Sequence, residues 1–259
     1  MTQLNGAPAE LDELKALALM NYGHFTSMRI ERGGIRGLTL HLARLARDSR
    51  TVFDAELDLG EVRTLVREAV QHIEPPVIAR VTVFDPDLEL GHPGDSANPS
   101  VLVTKRQASK AILPPLTLST VVYEREFPYV KHIGLFGTLK HRRDAQRRGF
   151  DDVLFTDHSG VISEGATWNI GFIRGDQVVW PNGEQLAGVT MDLLRATIAQ
   201  NVIETITSAD IHRMDGAFVT NAAIGVRPIS GIGDTRWDSE HPTIEVLRKT
   251  YAEIDPEGL

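Results

Sequence analysis

Three short stretches carry residues whose types and spacing suit chemistry. Lys131 stands in Tyr129-Val130-Lys131-His132-Ile133-Gly134, with Phe127-Pro128 before it and Leu135-Phe136 after. Uncharged surroundings disfavour the protonated amine, and the neutral amine is a nucleophile that condenses with carbonyl groups. Glu164 follows 33 positions later (164 − 131), in Asp157-His158-Ser159-Gly160-Val161-Ile162-Ser163-Glu164-Gly165-Ala166-Thr167-Trp168-Asn169. Its carboxylate can hold a proton on a ring nitrogen. Leu186-Ala187-Gly188-Val189-Thr190 then leads into a run with helical spacing, and a helix N-terminus offers amides to an anion.

An amine, a carboxylate and a phosphate cradle are what a pyridoxal phosphate site uses. Each part also has an ordinary reading. Lysines usually face water. Glu164 follows a turn signal and reads equally as the close of a hairpin, and Thr190 equally as a simple N-cap. Lys140 competes for the role of nucleophile, but it lies closer to Glu164 and within a basic run, Thr138–Arg148. That run reads as a solvated helix face rather than an RNA-binding surface.

Composition bounds the rest. The chain has 259 residues, 42% hydrophobic and 24% charged, as expected of a globular protein with a substantial core. A formal charge of −8 argues against general affinity for nucleic acid. The absence of cysteine excludes disulfides, thiolate nucleophiles and Cys-ligated zinc. The nine histidines are scattered and suggest no metal cluster. Glu10, Asp12 and Glu13 precede a short apolar run, Ala16–Met20, which is not the pattern of a signal peptide. No stretch approaches the roughly 18–20 apolar residues of a membrane span. No membrane partner and a cytoplasmic location are the expectations.

The elements that must position these residues follow in order. Residues 1–10 read as a loose arm. Tyr22–Ile30 reads as a strand turning at Arg32-Gly33-Gly34, and Thr39 as the cap of a helix through Leu45. Val62, Leu65, Val66, Ala69, Val70 and Ile73 keep a helical rhythm until Pro75-Pro76. Val77–Phe84 is a strand containing Arg80, and a polar loop spans Asp85–Pro99. Another strand, Val101–Val103, precedes linker composition over Lys105–Pro115. This places a domain boundary at 110/111, dividing a small N-terminal α+β domain (1–110) from a larger C-terminal domain (111–259). Leu116–Tyr123 is a further strand. Two hairpins follow, Val153–Thr156 with Val161–Ser163 and Ile170–Ile173 with Gln177–Trp180. A helix opens after Thr190 with Met191, Leu194, Ile198 and Val202 on one face. Ala217–Ala223 reads as a strand breaking into a small-residue loop, and Pro242–Ile254 as a structural helix.

These motifs together resemble the class IV aminotransferase family, the fold type IV pyridoxal phosphate enzymes. That family includes branched-chain and D-amino-acid aminotransferases and aminodeoxychorismate lyase. The resemblance extends from about Tyr22 to Pro228. It implies an α+β fold of two domains, the larger with a barrel-like sheet, and pyridoxal 5'-phosphate as cofactor. By resemblance Lys131 is the Schiff-base lysine, and Glu164 partners the pyridine nitrogen. Glu164 and Asn169 match the family's Glu-x-x-x-x-Asn, and Gly188-Val189-Thr190 its Gly-Ile-Thr phosphate turn. His41-Leu42-Ala43-Arg44-Leu45 resembles its His-Leu-x-Arg-Leu, whose arginine contacts phosphate. Backbone near Asn221 and Ala222 corresponds to a loop returning to the phosphate. Arg80 resembles an arginine near the substrate carboxylate. Thr26 stands where the lyase has threonine and the aminotransferases glutamate, and is a candidate for assisting proton transfer. The first expectation is amino transfer between an amino acid and a 2-oxo acid by a homodimer. The alternatives are aminodeoxychorismate lyase activity (4-aminobenzoate and folate synthesis) and a non-catalytic member that kept the fold.

Overall fold

A computed structural model describes residues 2–109 and 112–259. The expected boundary at 110/111 lies outside the described residues. Two compact units emerge. The first comprises Met1–Lys110, Val130–Gly134 and Asp255–Leu259, and the second Ala111–Tyr129 and Leu135–Ile254. Lys131 therefore groups with the first unit, not with the C-terminal elements among which the linear reading placed it.

The first unit contains β1 (Gln3–Leu4), β2 (Ala7–Pro8), α1 (Leu11–Met20), β3 (His24–Glu31), β4 (Gly34–Ile35), α2 (Leu38–Phe53), α3 (Leu59–Val70), β5 (Val77–Phe84) and β6 (Ser100–Gln107). Its sheet has the order β2-β1-β6-β5-β3-β4. The start of the chain is not loose, because Gln3 and Leu4 pair with Val103 and Leu102 of β6. Alternation along the strands sorts the side chains. Met28, Ile30, Val77, Ala79, Val81 and Val83 face α2 and α3, where the buried stripe of α3 meets them. Leu4, Phe84 and Leu102 form a smaller cluster with Leu14 and Leu17 of α1.

Helix α2 starts one residue before Thr39, with Gly37 as its N-cap at φ 70°. The acceptor that Thr39 was expected to supply comes instead from Glu257. Its carboxylate takes the Thr39 amide at 3.1 Å and also meets the Thr39 hydroxyl. Ile35 and Glu257 pair as an antiparallel bridge, which brings residues 255–259 onto this unit.

The second unit contains β7 (Leu116–Val122), α4 (Phe136–Arg147), β8 (Asp152–Thr156), β9 (Ile162–Gly165), β10 (Asn169–Arg174), β11 (Gln177–Pro181), α5 (Val189–Thr197), β12 (Asn201–Glu204), β13 (Gly216–Asn221), β14 (Gly225–Ile232), β15 (Thr235–Arg236) and α6 (Pro242–Glu253). Successive pairings β7–β8, β8–β9, β9–β10, β10–β13, β13–β14 and β14–β7 return to their start, so six strands close a barrel. Leu118, Leu154, Ile162, Phe172, Val219 and Ile229, one from each strand, belong to a single buried cluster. Strands β11, β12 and β15 extend the sheet beyond this ring. Helix α5 stops at Thr197, so Val202 is not on its apolar face. It lies in β12, which pairs parallel to β11.

Candidate functional site

The lysine segment lies along the start of β3. Phe25 N donates to Lys131 O at 2.9 Å, and Ile133 N to Gly23 O at 3.0 Å. Gly23 is required by the close packing of β5 beside it. Its φ is +149°, and a Cβ there would come within 2.5 Å of the Val83 carbonyl oxygen. The Lys131 amide donates to Asp48 Oδ2 on α2 at 2.9 Å. Its Nζ lies 4.9 Å from the centre of the Phe25 ring, and Arg80 Cζ stands 3.7 Å from the same centre. One aromatic ring thus serves two cations. Arg80 Nε also donates to Thr82 Oγ1, and burial lowers the guanidinium pKa.

Thr26 is fully buried, on the sheet face that also carries Met28. Its hydroxyl lies 2.7 Å from His41 Nδ1. Burial, reinforced by the charges of Arg44 and Lys131, lowers the His41 pKa to about 3, so the imidazole is neutral near pH 7. Arg44 is itself buried on α2. The first unit therefore gathers Lys131, Arg44 and Thr26 around His41, with Arg80 joined to Lys131 through Phe25.

In the second unit Glu164 and Asn169 are register partners across β9 and β10. Glu164 Oε1 accepts from Arg125 Nη1 at 3.0 Å, both side chains being less than a tenth exposed. Asn169 Nδ2 donates to Leu186 O at 2.7 Å and to Gln185 Oε1 at 2.9 Å, which fixes the turn entering α5. A Cβ on Gly188 would fall 1.9 Å from Asn169 Oδ1, so the close approach demands glycine. The first intrahelical bond of α5 runs from Asp192 N to Gly188 O. The amides of Val189, Thr190 and Met191 precede it and form the positive end of the helix. The Thr190 hydroxyl there is buried without a hydrogen-bond partner among the described residues. A buried orphan hydroxyl beside helix-end amides suits an anion such as phosphate. Asn221 turns its side chain to its own loop, with Oδ1 accepting from Ala223 N and Ile224 N at 3.0 Å each, and so shapes the backbone around Ala222.

Lys140 pairs with Asp144 one helical turn on and is half exposed. Its neighbour Arg142 is bound to Asp152, which also accepts from Trp168 Nε1. The basic helix thus anchors the barrel wall. Among the described residues no group of His, Asp and Glu is placed to hold a metal ion, and no helix is long and apolar enough to cross a membrane.

The family model for amino-transferase class IV matches residues 23–232, most of the chain. The chain belongs to the class IV aminotransferase family. A probable branched-chain-amino-acid aminotransferase of Rickettsia typhi is 34% identical over 122 residues, 44% of this chain and 42% of the relative. The chain thus spans less than half the length of the curated relatives it matches. Two solved class IV structures share the fold. The branched-chain aminotransferase of Thermoproteus uzoniensis, solved with norvaline, superposes with a TM-score of 0.87 at 19% identity, covering 97% of this chain and 93% of the other. A hypothetical aminotransferase from Mycobacterium tuberculosis in its PLP-bound form gives 0.82 at 17% identity, covering 98% of each chain.

Three residues of this class IV chain receive no role of their own from a linear reading. Arg125 sits between Glu124 and Glu126, where a surface arginine is the ordinary expectation. Asp48 is legible by helical phase, being seven residues after the buried His41 and thus on the same face of α2. His41 is legible only as a motif letter; its bond to Thr26 depends on tertiary packing.

Proposed function

We propose that this chain is a pyridoxal-phosphate-dependent aminotransferase acting between an amino acid and a 2-oxo acid. The observation that carries the reading is the cradle at the start of α5, where Gly188 admits close packing and Thr190 keeps a buried hydroxyl in need of a partner. When bound, pyridoxal phosphate supplies an aldehyde for amine exchange and a ring that withdraws electrons from the substrate α-carbon.

The chain's own residues supply the rest. Lys131 would hold the cofactor through its side-chain amine. Its Nζ would also carry the substrate α-proton as general base and acid. Glu164 holds a proton on the pyridine nitrogen, and Arg125 fixes the carboxylate that does so. Gly188, Val189 and Thr190 bind phosphate through amides and a hydroxyl, with backbone near Asn221 and Ala222 closing the cradle. Arg44 contributes a cation to the phosphate. Arg80, braced on Phe25 and Thr82, receives a substrate carboxylate. Thr26, held by His41, supports Lys131 in proton transfer. The exposed side chains of Phe127, Tyr129, Phe136 and Leu139 support self-association as a homodimer. The acidic charge supports an enzyme without nucleic-acid partners.

Incubation with amino donors plus 2-oxoglutarate or pyruvate should give a new amino acid. Aminodeoxychorismate, offered separately, should give no aminobenzoate, whereas its release would favour the lyase reading that Thr26 and Lys131-His132-Ile133 support. Borohydride reduction of the loaded protein should fix a pyridoxyl group on the Lys131 peptide and leave Lys140 unlabelled. Label on Lys140 reassigns the nucleophile. No label and no turnover overturn the proposal in favour of a non-catalytic member.

A further inference from the structure

We infer that Asp48 is a positioning residue for Lys131, an inference that rests on the reading of Lys131 as the reacting amine. The Asp48 side chain is wholly buried. A buried carboxylate is costly unless its oxygens are engaged. Here Oδ1 accepts from Arg47 Nε and Nη2 at 2.9 and 2.7 Å, while Oδ2 accepts the Lys131 amide. The Lys131 carbonyl is taken in turn by Phe25 N. Both main-chain polar groups of the lysine are therefore fixed, one by a strand and one by a helix.

The pairing with Arg47 has a chemical use. A bare carboxylate near an amine stabilises the ammonium form, which is not nucleophilic. Because Arg47 balances the charge, Asp48 fastens the lysine's backbone without adding a net negative charge beside it. Asp48 also stands four residues after Arg44 on one face of α2, so the helix that carries the phosphate-binding candidate sets the register of the amine. Misplacement of a reacting group by about 1 Å can cost on the order of 100-fold in rate, which is the scale on which such a tether matters.

The test measures amide hydrogen exchange at Lys131 in cofactor-free protein. It also follows the rate at which added pyridoxal phosphate becomes trapped by borohydride on the Lys131 peptide. In Asp48→Ala, Lys131 exchange should rise about 10-fold or more. Amides of the β3–β5 ladder, such as those of Thr26 and Val81, should hold their rates, and trapping should slow. Asp48→Asn keeps the volume and one acceptor oxygen, so it should fold even if the alanine variant does not. It should show the same changes at a few-fold, with partial rescue of trapping. Unchanged Lys131 exchange in both variants overturns the inference. So does equal acceleration across the ladder, which would mark Asp48 as a general stabiliser, or an unaltered trapping rate. A parent protein that never labels at Lys131 overturns the proposed function itself, and the exchange result shows separately whether the tether exists.

Discussion

Glu164 and Asn169 face each other across β9 and β10, at the register pair that closes the six-stranded barrel. The four residues between them form the connection, in which Gly165 N donates to Trp168 O at 3.0 Å. The spacing of a glutamate and an asparagine five positions apart therefore follows from geometry. It is the length of a tight hairpin whose two ends present one carboxylate and one amide. The pair that closes the barrel thus holds both ends of the candidate motif in one register.

Glu164→Gln should lower both turnover and stability. The variant cannot keep a proton on the pyridine nitrogen by charge, and it loses the ion pair with Arg125 in a region less than a tenth exposed. Breaking a buried pair typically costs about 3–5 kcal/mol. Turnover and urea midpoint measured together check this, with Glu164→Asp as the variant that preserves charge. Full turnover in Glu164→Gln would remove the carboxylate from the mechanism.

Thr190→Val should weaken cofactor binding without unfolding α5, because it exchanges the orphan hydroxyl for a methyl of similar size. Loss of a hydrogen bond to a charged group is about 1.5–3 kcal/mol, or roughly 10- to 150-fold in Kd. Gly188→Ala should do more harm, since the new Cβ collides with Asn169 Oδ1. Equilibrium titration with pyridoxal phosphate gives both values, and parent-like affinity in both variants would place the cradle elsewhere.

Acid should destabilise the first unit through its buried histidines. Burial outweighs the opposing pull of Asp48 and lowers the His24 pKa from 6.5 to about 4. The unfolded chain binds the proton more readily, so the stabilisation is full above about pH 6.5 and is lost as pH falls towards 4. Between pH 7 and pH 5 this amounts to about 2 kcal/mol for His24. His24→Asn should lose correspondingly less stability over that interval in denaturant titrations. Parallel pH curves for variant and parent would show that His24 is not buried as a neutral ring.

Glu257→Ala should destabilise the first unit by about 1–2 kcal/mol, because the carboxylate both accepts the Thr39 amide and meets the positive end of α2. Glu253→Ala, at an exposed position near the end of α6, is the control and should leave the urea midpoint unchanged. Equal midpoints for Glu257→Ala and the parent would show that the cap has no energetic weight.

Much of this fold is legible in the sequence because its signals are local. The stripe from Val62 to Val70 announces α3, and Val77–Phe84 is β5 to the residue. The Gly188-Val189-Thr190 turn and the Glu164–Asn169 spacing are likewise contained within a few residues. What escapes depends on partners far along the chain. Thr39 looks like a cap until Glu257, more than two hundred positions away, takes that place. Gln3 and Leu4 look unstructured until β6 offers them an edge. Lys131 looks like part of the elements around it, yet hydrogen bonds to Gly23, Phe25 and Asp48 draw it into the first unit.

That excursion of the chain bears on how the protein is made. The first unit takes its parts from three places in the sequence, residues 1–110, 130–134 and 255–259. A ribosome that has released the first 110 residues has delivered the sheet and its helices. It has not yet delivered the amine, nor the carboxylate that caps α2. Early in translation the nascent unit exposes an unfilled edge beside β3 and a frayed start to α2, and contacts so distant in sequence form slowly. Fragments that stop before residue 130 or before residue 255, compared with the released chain through residue 259, should therefore show stepwise protection of α2 from protease, with the last step coming only when Glu257 is present.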